Sequence, residues 1–195
     1  MSDEGPSSGQ ADRFAALVVL ACHDLRTPLA TVAGFSKTLV RTGELSERDA
    51  RFVEMIDEAS AQMALLIDQL GLAARIESGR YDPLPFDADT LELAESSGDD
   101  RVAVEGTGTI VETDSVTVGR ALAALAVAAL RFGELSLVTW TVNGRELTLT
   151  PVTAAAAPVL AGTDPRDLGA LVARIAIERL GGSVTVHGES LRVRI

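Results

Sequence analysis

Residues 21–32 read ACHDLRTPLATV, and the fold follows from which of these positions are apolar. Apolar or small side chains recur at Phe14, Val18, Ala21, Leu25, Pro28, Val32, Phe35 and Leu39, in alternating steps of four and three. That is the heptad seam of a helix packed along a partner helix. At about 100° per residue, His23 lies across the helix from this seam and faces water. Asp24 is its neighbour, Thr27 shares its face one turn on, and Pro28, lacking an N–H, is expected to bend the backbone just after the histidine.

Outward from this stretch, residues 1–10 are Ser, Gly, Pro and acid, a composition expected to form a disordered tail. A first helix over 11–41 is expected to stop at Thr42, with Gly43 as a left-handed cap. Ser46 opens a second helix as its N-cap, with acids in the first turn, running to Ser78. Its seam is Phe52, Ile56, Ala59, Met63, Leu66, Leu70 and Ala73. The short connection makes the two helices antiparallel. Each stripe is wider than one partner helix can bury, so a second copy completing a four-helix bundle is expected, a homodimer. The alternative is that a second domain folds back over the seam.

Residues 11–79 therefore read as one domain, 80–89 as a Pro- and Asp-rich linker and 90–195 as a small α/β domain. In the latter the pattern predicts a short helix at 90–94, strands at 101–104 and 109–111, and a long Ala- and Leu-rich helix capped by Asp114 or Ser115 and reaching Phe132. A hairpin turning at Asn143-Gly144 follows. Asp164-Pro165 opens a last helix closed by Gly181-Gly182, and two alternating strands end the chain.

The chain has 195 residues, 47% hydrophobic and 23% charged, with a net charge of -11. That suits one large or two small domains, and its field repels nucleic-acid phosphates and anionic lipid. Neither nucleic acid nor membrane is expected as a partner. The uninterrupted apolar runs fall short of a bilayer, so a cytoplasmic protein without a sensor of its own is expected. Cys22 excludes an internal disulfide, and with only His23 and His187 a Cys/His zinc site lacks ligands. Cys22 reads as a packed small residue and His187 as a surface one.

The string HDLRTPL at 23–29 resembles the phospho-acceptor box of bacterial two-component histidine kinases. The resemblance covers 12–79 as the dimerisation and histidine-phosphotransfer hairpin, and the element order of the second domain looks like the kinases' ATP-binding domain. It implies that His23 accepts the phosphoryl group and that Asp24 orients or activates it. Arg26 and Thr27 become candidates for phosphoryl contacts, Thr27 also for a phosphatase role, beside the plain reading of both as helix-surface polarity. The family's nucleotide motifs are missing: Ala128 stands where a magnesium-binding asparagine is expected, Thr153 followed by 154–157 (AAAA) where an aspartate and glycines bind adenine, and Asp167 beside Gly169 in the phosphate loop. A methyl group coordinates no metal, and an aspartate repels a triphosphate.

The sequence is thus similar to bacterial histidine phosphotransferases that keep a kinase body with a dead ATP site. Such a protein passes a phosphoryl group between His23 and receiver-domain aspartates of response regulators. No cofactor is expected on this chain, and magnesium is expected on the partner receiver. The alternatives are a histidine kinase with a divergent ATP site, a non-catalytic dimer that sequesters regulators, and a phosphatase using Asp24 and Thr27.

Overall fold

The computed structural model describes residues 8–42, 45–96 and 98–195, so the expected cap at Gly43 lies outside the described residues. The chain divides into two compact units between Tyr81 and Asp82.

The first unit is a hairpin of two long helices, α1 (Ser8–Thr42) and α2 (Glu47–Glu77). α1 starts at Ser8, inside the stretch expected to be disordered, because extending a formed helix by a turn costs little. It runs through Pro28 without a break. The ring removes the N–H that the Asp24 carbonyl would accept. Ser46 caps α2, its hydroxyl accepting from the Asp49 N–H at 3.2 Å and donating to the Asp49 carboxylate at 2.6 Å.

The stripe that joins α1 to α2 is not the one with the largest apolar residues. Ala15, Cys22, Leu29 and Ser36, seven residues apart, are buried on α1, and Val53, Ser60, Gly71 and Ala74 on α2. These are mostly small residues, which let two helices approach closely. The Ser36 hydroxyl donates to the Val53 carbonyl at 2.9 Å. The expected seams lie beside this contact and face outward: Phe14, Leu25, Val32, Phe35, Phe52, Ile56, Met63 and Leu66 are all exposed in the single chain.

In the second unit, residues 86–89, expected as linker, form strand β1 (Phe86–Asp89), antiparallel to β3 (Ile110–Thr113). Pro83 and Pro85 hide the alternation of Phe86, Asp87, Ala88 and Asp89 in the sequence, but a strand paired along one edge tolerates prolines at its start. Between β1 and β3 come α3 (Thr90–Glu95) and β2 (Val102–Thr107).

α4 (Ser115–Gly133) follows, with Asp114 accepting from the Thr117 N–H at 3.0 Å as its cap. Next are β4 (Val138–Asn143) and β5 (Glu146–Thr150), the expected hairpin, with Gly144 at φ +59° in the turn. A one-turn helix, α5 (Ala157–Leu160), was not legible in the Ala-rich sequence. α6 (Leu168–Arg179) is capped by Asp167, three residues past the expected Asp164. β6 (Ser183–His187) and β7 (Ser190–Arg194) close the chain.

The main sheet has the order β2-β4-β5-β7-β6, with β2 and β4 parallel and the other pairs antiparallel. Val138, Trp140, Val142, Leu147, Leu149, Leu191 and Val193 alternate inward and pack with α4 and α6 into one core. Thr141, Arg192, Arg194 and His187 take the other, open face. The stretches Phe14–Thr42 and Ser115–Gly133 are long and apolar enough to cross a membrane by length and composition alone, although no uninterrupted run in them is. α4 gets its apolarity from the core it fills. α1 carries His23, Asp24 and Arg26 at mid-length, groups expensive to place in hydrocarbon.

Candidate functional site

α1 carries the site by angle. Taking the buried Cys22 as the direction of α2, His23 is rotated by about 100° and Thr27 by about 140°, while Arg26 is turned only about 40°. The exposed apolar stripe lies on the other side, at about -40° to -140°. His23 thus projects away from both the hairpin contact and the apolar face.

The His23 side chain is 77% exposed, and its Nδ1 lies 3.2 Å from Oδ1 of Asp24, itself 69% exposed. With the proton on Nδ1 shared with Asp24, the lone pair on Nε2 is left toward solvent. The pairing favours that tautomer; in water it adds little stability. Thr27 is exposed on the same face, and its carbonyl accepts from the Thr31 hydroxyl at 3.1 Å.

Arg26 does not point at His23. Its Nε and Nη2 donate to Oδ1 of Asp68 on α2, at 3.2 and 2.8 Å. Sequence reasoning missed Asp68, since nothing in α2 marks one exposed acid among several. Gly71, one turn further on, faces Cys22 and Arg26: a Cβ there would lie 3.8 Å from Cys22 Cβ and 3.7 Å from Arg26 Nη2. The expectation that Cys22 is packed holds, at 2% exposure.

This hairpin has relatives. A family model, the His Kinase A (phospho-acceptor) domain, matches residues 17–79. The hairpin is thus similar to the phospho-acceptor domain of two-component histidine kinases. Within its relatives, Sensor protein DivL of Caulobacter vibrioides is 37% identical over 37% of this chain and 11% of that protein. The probable sensor histidine kinase TcrY of Mycobacterium tuberculosis is 35% identical over 31% of this chain and 13% of its own length. This chain therefore spans a small part of those relatives.

Among solved structures, full-length ShkA in complex with AMPPNP matches 91% of this chain and 44% of its own at a TM-score of 0.63 and 18% identity. The Acinetobacter baumannii histidine kinase AdeS matches 89% of this chain and 96% of its own at 0.55 and 18%. The fold is thus a histidine-kinase hairpin followed by a small mixed α/β unit like the kinases' ATPase domain.

In that second unit, Ala128 is 1% exposed within the α4 core and offers only a methyl group. The Thr153 hydroxyl accepts from the Ala156 N–H at 3.3 Å. Asp167 caps α6, Oδ1 accepting from the Ala170 N–H at 2.8 Å, while its Oδ2 lies 3.8 Å from Nη1 of Arg131 on α4. The Phe132 ring lies beneath two guanidiniums, Arg131 at 5.3 Å and Arg166 at 5.5 Å from its centroid. Among the described residues no three His, Cys, Asp or Glu side chains cluster as a metal site.

Proposed function

We propose that this protein is a histidine phosphotransferase of a two-component phosphorelay, passing a phosphoryl group between His23 and receiver-domain aspartates of response regulators. The observation that carries the reading is the exposed His23 imidazole, with Nδ1 on Asp24 and Nε2 open, inside a matched phospho-acceptor domain. Nε2 attacks the phosphorus of a receiver's aspartyl phosphate; the new N–P bond forms as the O–P bond breaks, and the carboxylate leaves. Asp24 holds the Nδ1 proton and steadies the imidazolium as charge develops. Magnesium held by the receiver would neutralise the phosphoryl oxygens, and the reverse transfer loads a second receiver.

The residues of the second unit do not fit ATP with magnesium. Ala128 supplies no ligand, and Asp167 already places a carboxylate on the α6 N-terminal donors, where phosphates would need those N–H groups. No step is routed through a nucleotide. The unit is read instead as a second docking surface for a receiver. In keeping with this reading the protein is cytoplasmic, and it works as a homodimer through the exposed apolar stripes.

A second reading, a histidine kinase with a divergent ATP site, is favoured by the likeness of the whole fold to ShkA and AdeS. Titration calorimetry with ATP and magnesium separates the two: a micromolar dissociation constant sinks the phosphotransferase reading. Incubation with a phosphorylated receiver is the positive test. Acid-labile label should appear on the wild-type chain and be absent from His23→Ala, whereas a sequestering dimer takes no label and a phosphatase using Thr27 loses receiver turnover in Thr27→Ala while keeping the label.

A further inference from the structure

Arg26 and Asp68 join the two helices of the hairpin right beside the phospho-acceptor face. Both donors of Arg26, Nε at 3.2 Å and Nη2 at 2.8 Å, fall on the same carboxylate oxygen, Oδ1. The paired fork that uses both oxygens of a carboxylate is the stronger arrangement, and this is not it. Arg26 is 44% exposed and Asp68 48%, so water screens the pair and it exchanges at little cost.

A better acceptor lies within reach. His23 precedes Arg26 by three residues, so their Cβ atoms are about 5–6 Å apart on neighbouring rows of α1. A guanidinium that crosses to α2 in one set of rotamers reaches a group on the His23 ring in another. A phosphoryl group there carries close to two negative charges and three acceptor oxygens, a geometry the planar fork fits bidentately. Gly71, opposite, keeps side-chain bulk out of the path of Nη2.

We propose that Asp68 is a positioning residue: it holds Arg26 in reserve while His23 is free and yields it to the phosphoryl group when His23 carries one. Phosphorylation then releases the tie between α1 and α2 next to the site, so the hairpin surface offered to a receiver differs between the loaded and unloaded states. This rests on the reading of His23 as phospho-acceptor.

The test uses the full chain and phosphoramidate, a small phosphodonor that needs no kinase or receiver. His23 Nε2 forms the N–P bond as the donor's P–N bond breaks, ammonia leaves, and Nδ1 keeps its proton. With phosphoramidate and ammonia both held fixed, phosphorus NMR gives the ratio of phosphorylated to free His23. Asp68→Asn should raise that ratio about two- to five-fold, the size an exposed ion pair supports. Arg26→Gln should lower it, the double variant should match Arg26→Gln, and Asp68→Glu should return it toward wild type. The Arg26 Nε–H resonance should move on phosphorylation and move back on hydrolysis.

A purely structural tie predicts otherwise, with every variant less stable and the ratio unmoved. An unchanged or lowered ratio in Asp68→Asn, or a rise that persists in the Arg26→Gln background, overturns the proposal while leaving the phosphorelay reading intact. Wild-type protein that takes no more label than His23→Ala overturns both.

Discussion

The hydroxyl of Ser36 on α1 donates to the main-chain carbonyl of Val53 on α2 across 2.9 Å, and both residues are buried. The bond ties a side chain of one helix to the backbone of the other. Ser36→Ala should cost about 0.5–1.5 kcal/mol. Ser36→Leu, which forces the helices apart, should cost about 1–3 kcal/mol. Urea denaturation followed by helical circular dichroism, at one protein concentration for all variants, reads both.

Two glycines that look alike in the sequence should respond oppositely to alanine. At Gly71 the added Cβ meets Cys22 and Arg26 at 3.7–3.9 Å, ordinary contact, and a mid-helix glycine gives way to the best helix former. Gly71→Ala should stabilise by up to about 1 kcal/mol. At Gly106, φ is +112° and the Cβ would collide with the Val142 carbonyl. Gly106→Ala should markedly destabilise the second unit, read by the emission of Trp140, which is fully buried there.

The exposed stripe of Phe35 and Ile56 is where the proposed second copy sits. Phe35→Glu and Ile56→Glu should shift sedimentation from dimer to monomer, while His23→Ala should leave the dimer unchanged. A wild-type chain that sediments as a monomer at tens of micromolar rejects the bundle.

Asp167 should be worth a helix cap. Asp167→Ala leaves the Ala170 N–H unpaired and should lower the stability of the second unit by about 1 kcal/mol. Asp167→Asn, which keeps a capping oxygen but loses the charge beside Arg131, should cost much less, since that contact is 3.8 Å long and Arg131 is 71% exposed. Thermal melts followed at Trp140 distinguish the two.

Asp99 supplies a pH signature. Hydrogen bonds from the Arg101 side chain and backbone, and then its charge, lower the carboxyl from 3.8 to about 2. A folded-state pKa below the unfolded one means stability that is present above about pH 4 and lost as the pH falls through about 2. Asp99→Asn should therefore melt slightly lower than wild type at pH 6, with the gap narrowing as the pH falls toward 2. The difference is small because the partners are two residues apart and able to meet in the unfolded chain, and Arg101 is exposed.

Much of the site was legible in one dimension. The period of 3.5 to 3.6 residues and the placing of Ser46, Asp114 and Gly144 marked helices, caps and a turn, because these are local preferences of the backbone. The same period put His23 on the far side of α1 from the large apolar residues, with Asp24 beside it. Helix geometry alone requires this. β1 and α5 were not legible, since two prolines mask the alternation of the one and the other is a single turn that its surroundings hold in place.

Only the tertiary structure decided which stripe of α1 meets α2. Hydrophobicity ranks Phe14, Leu25 and Phe35 above Ala15, Cys22 and Ser36, yet the helices pack through the small residues and leave the large ones outside. Size sets how near two backbones approach, and a sequence read for apolarity does not reveal which of two adjacent stripes is used within the chain. The partnership of Arg26 with Asp68 is of the same kind. The two are 42 residues apart, and their meeting depends on the register of one helix against the other, which the small-residue contact at Cys22 and Gly71 fixes in space.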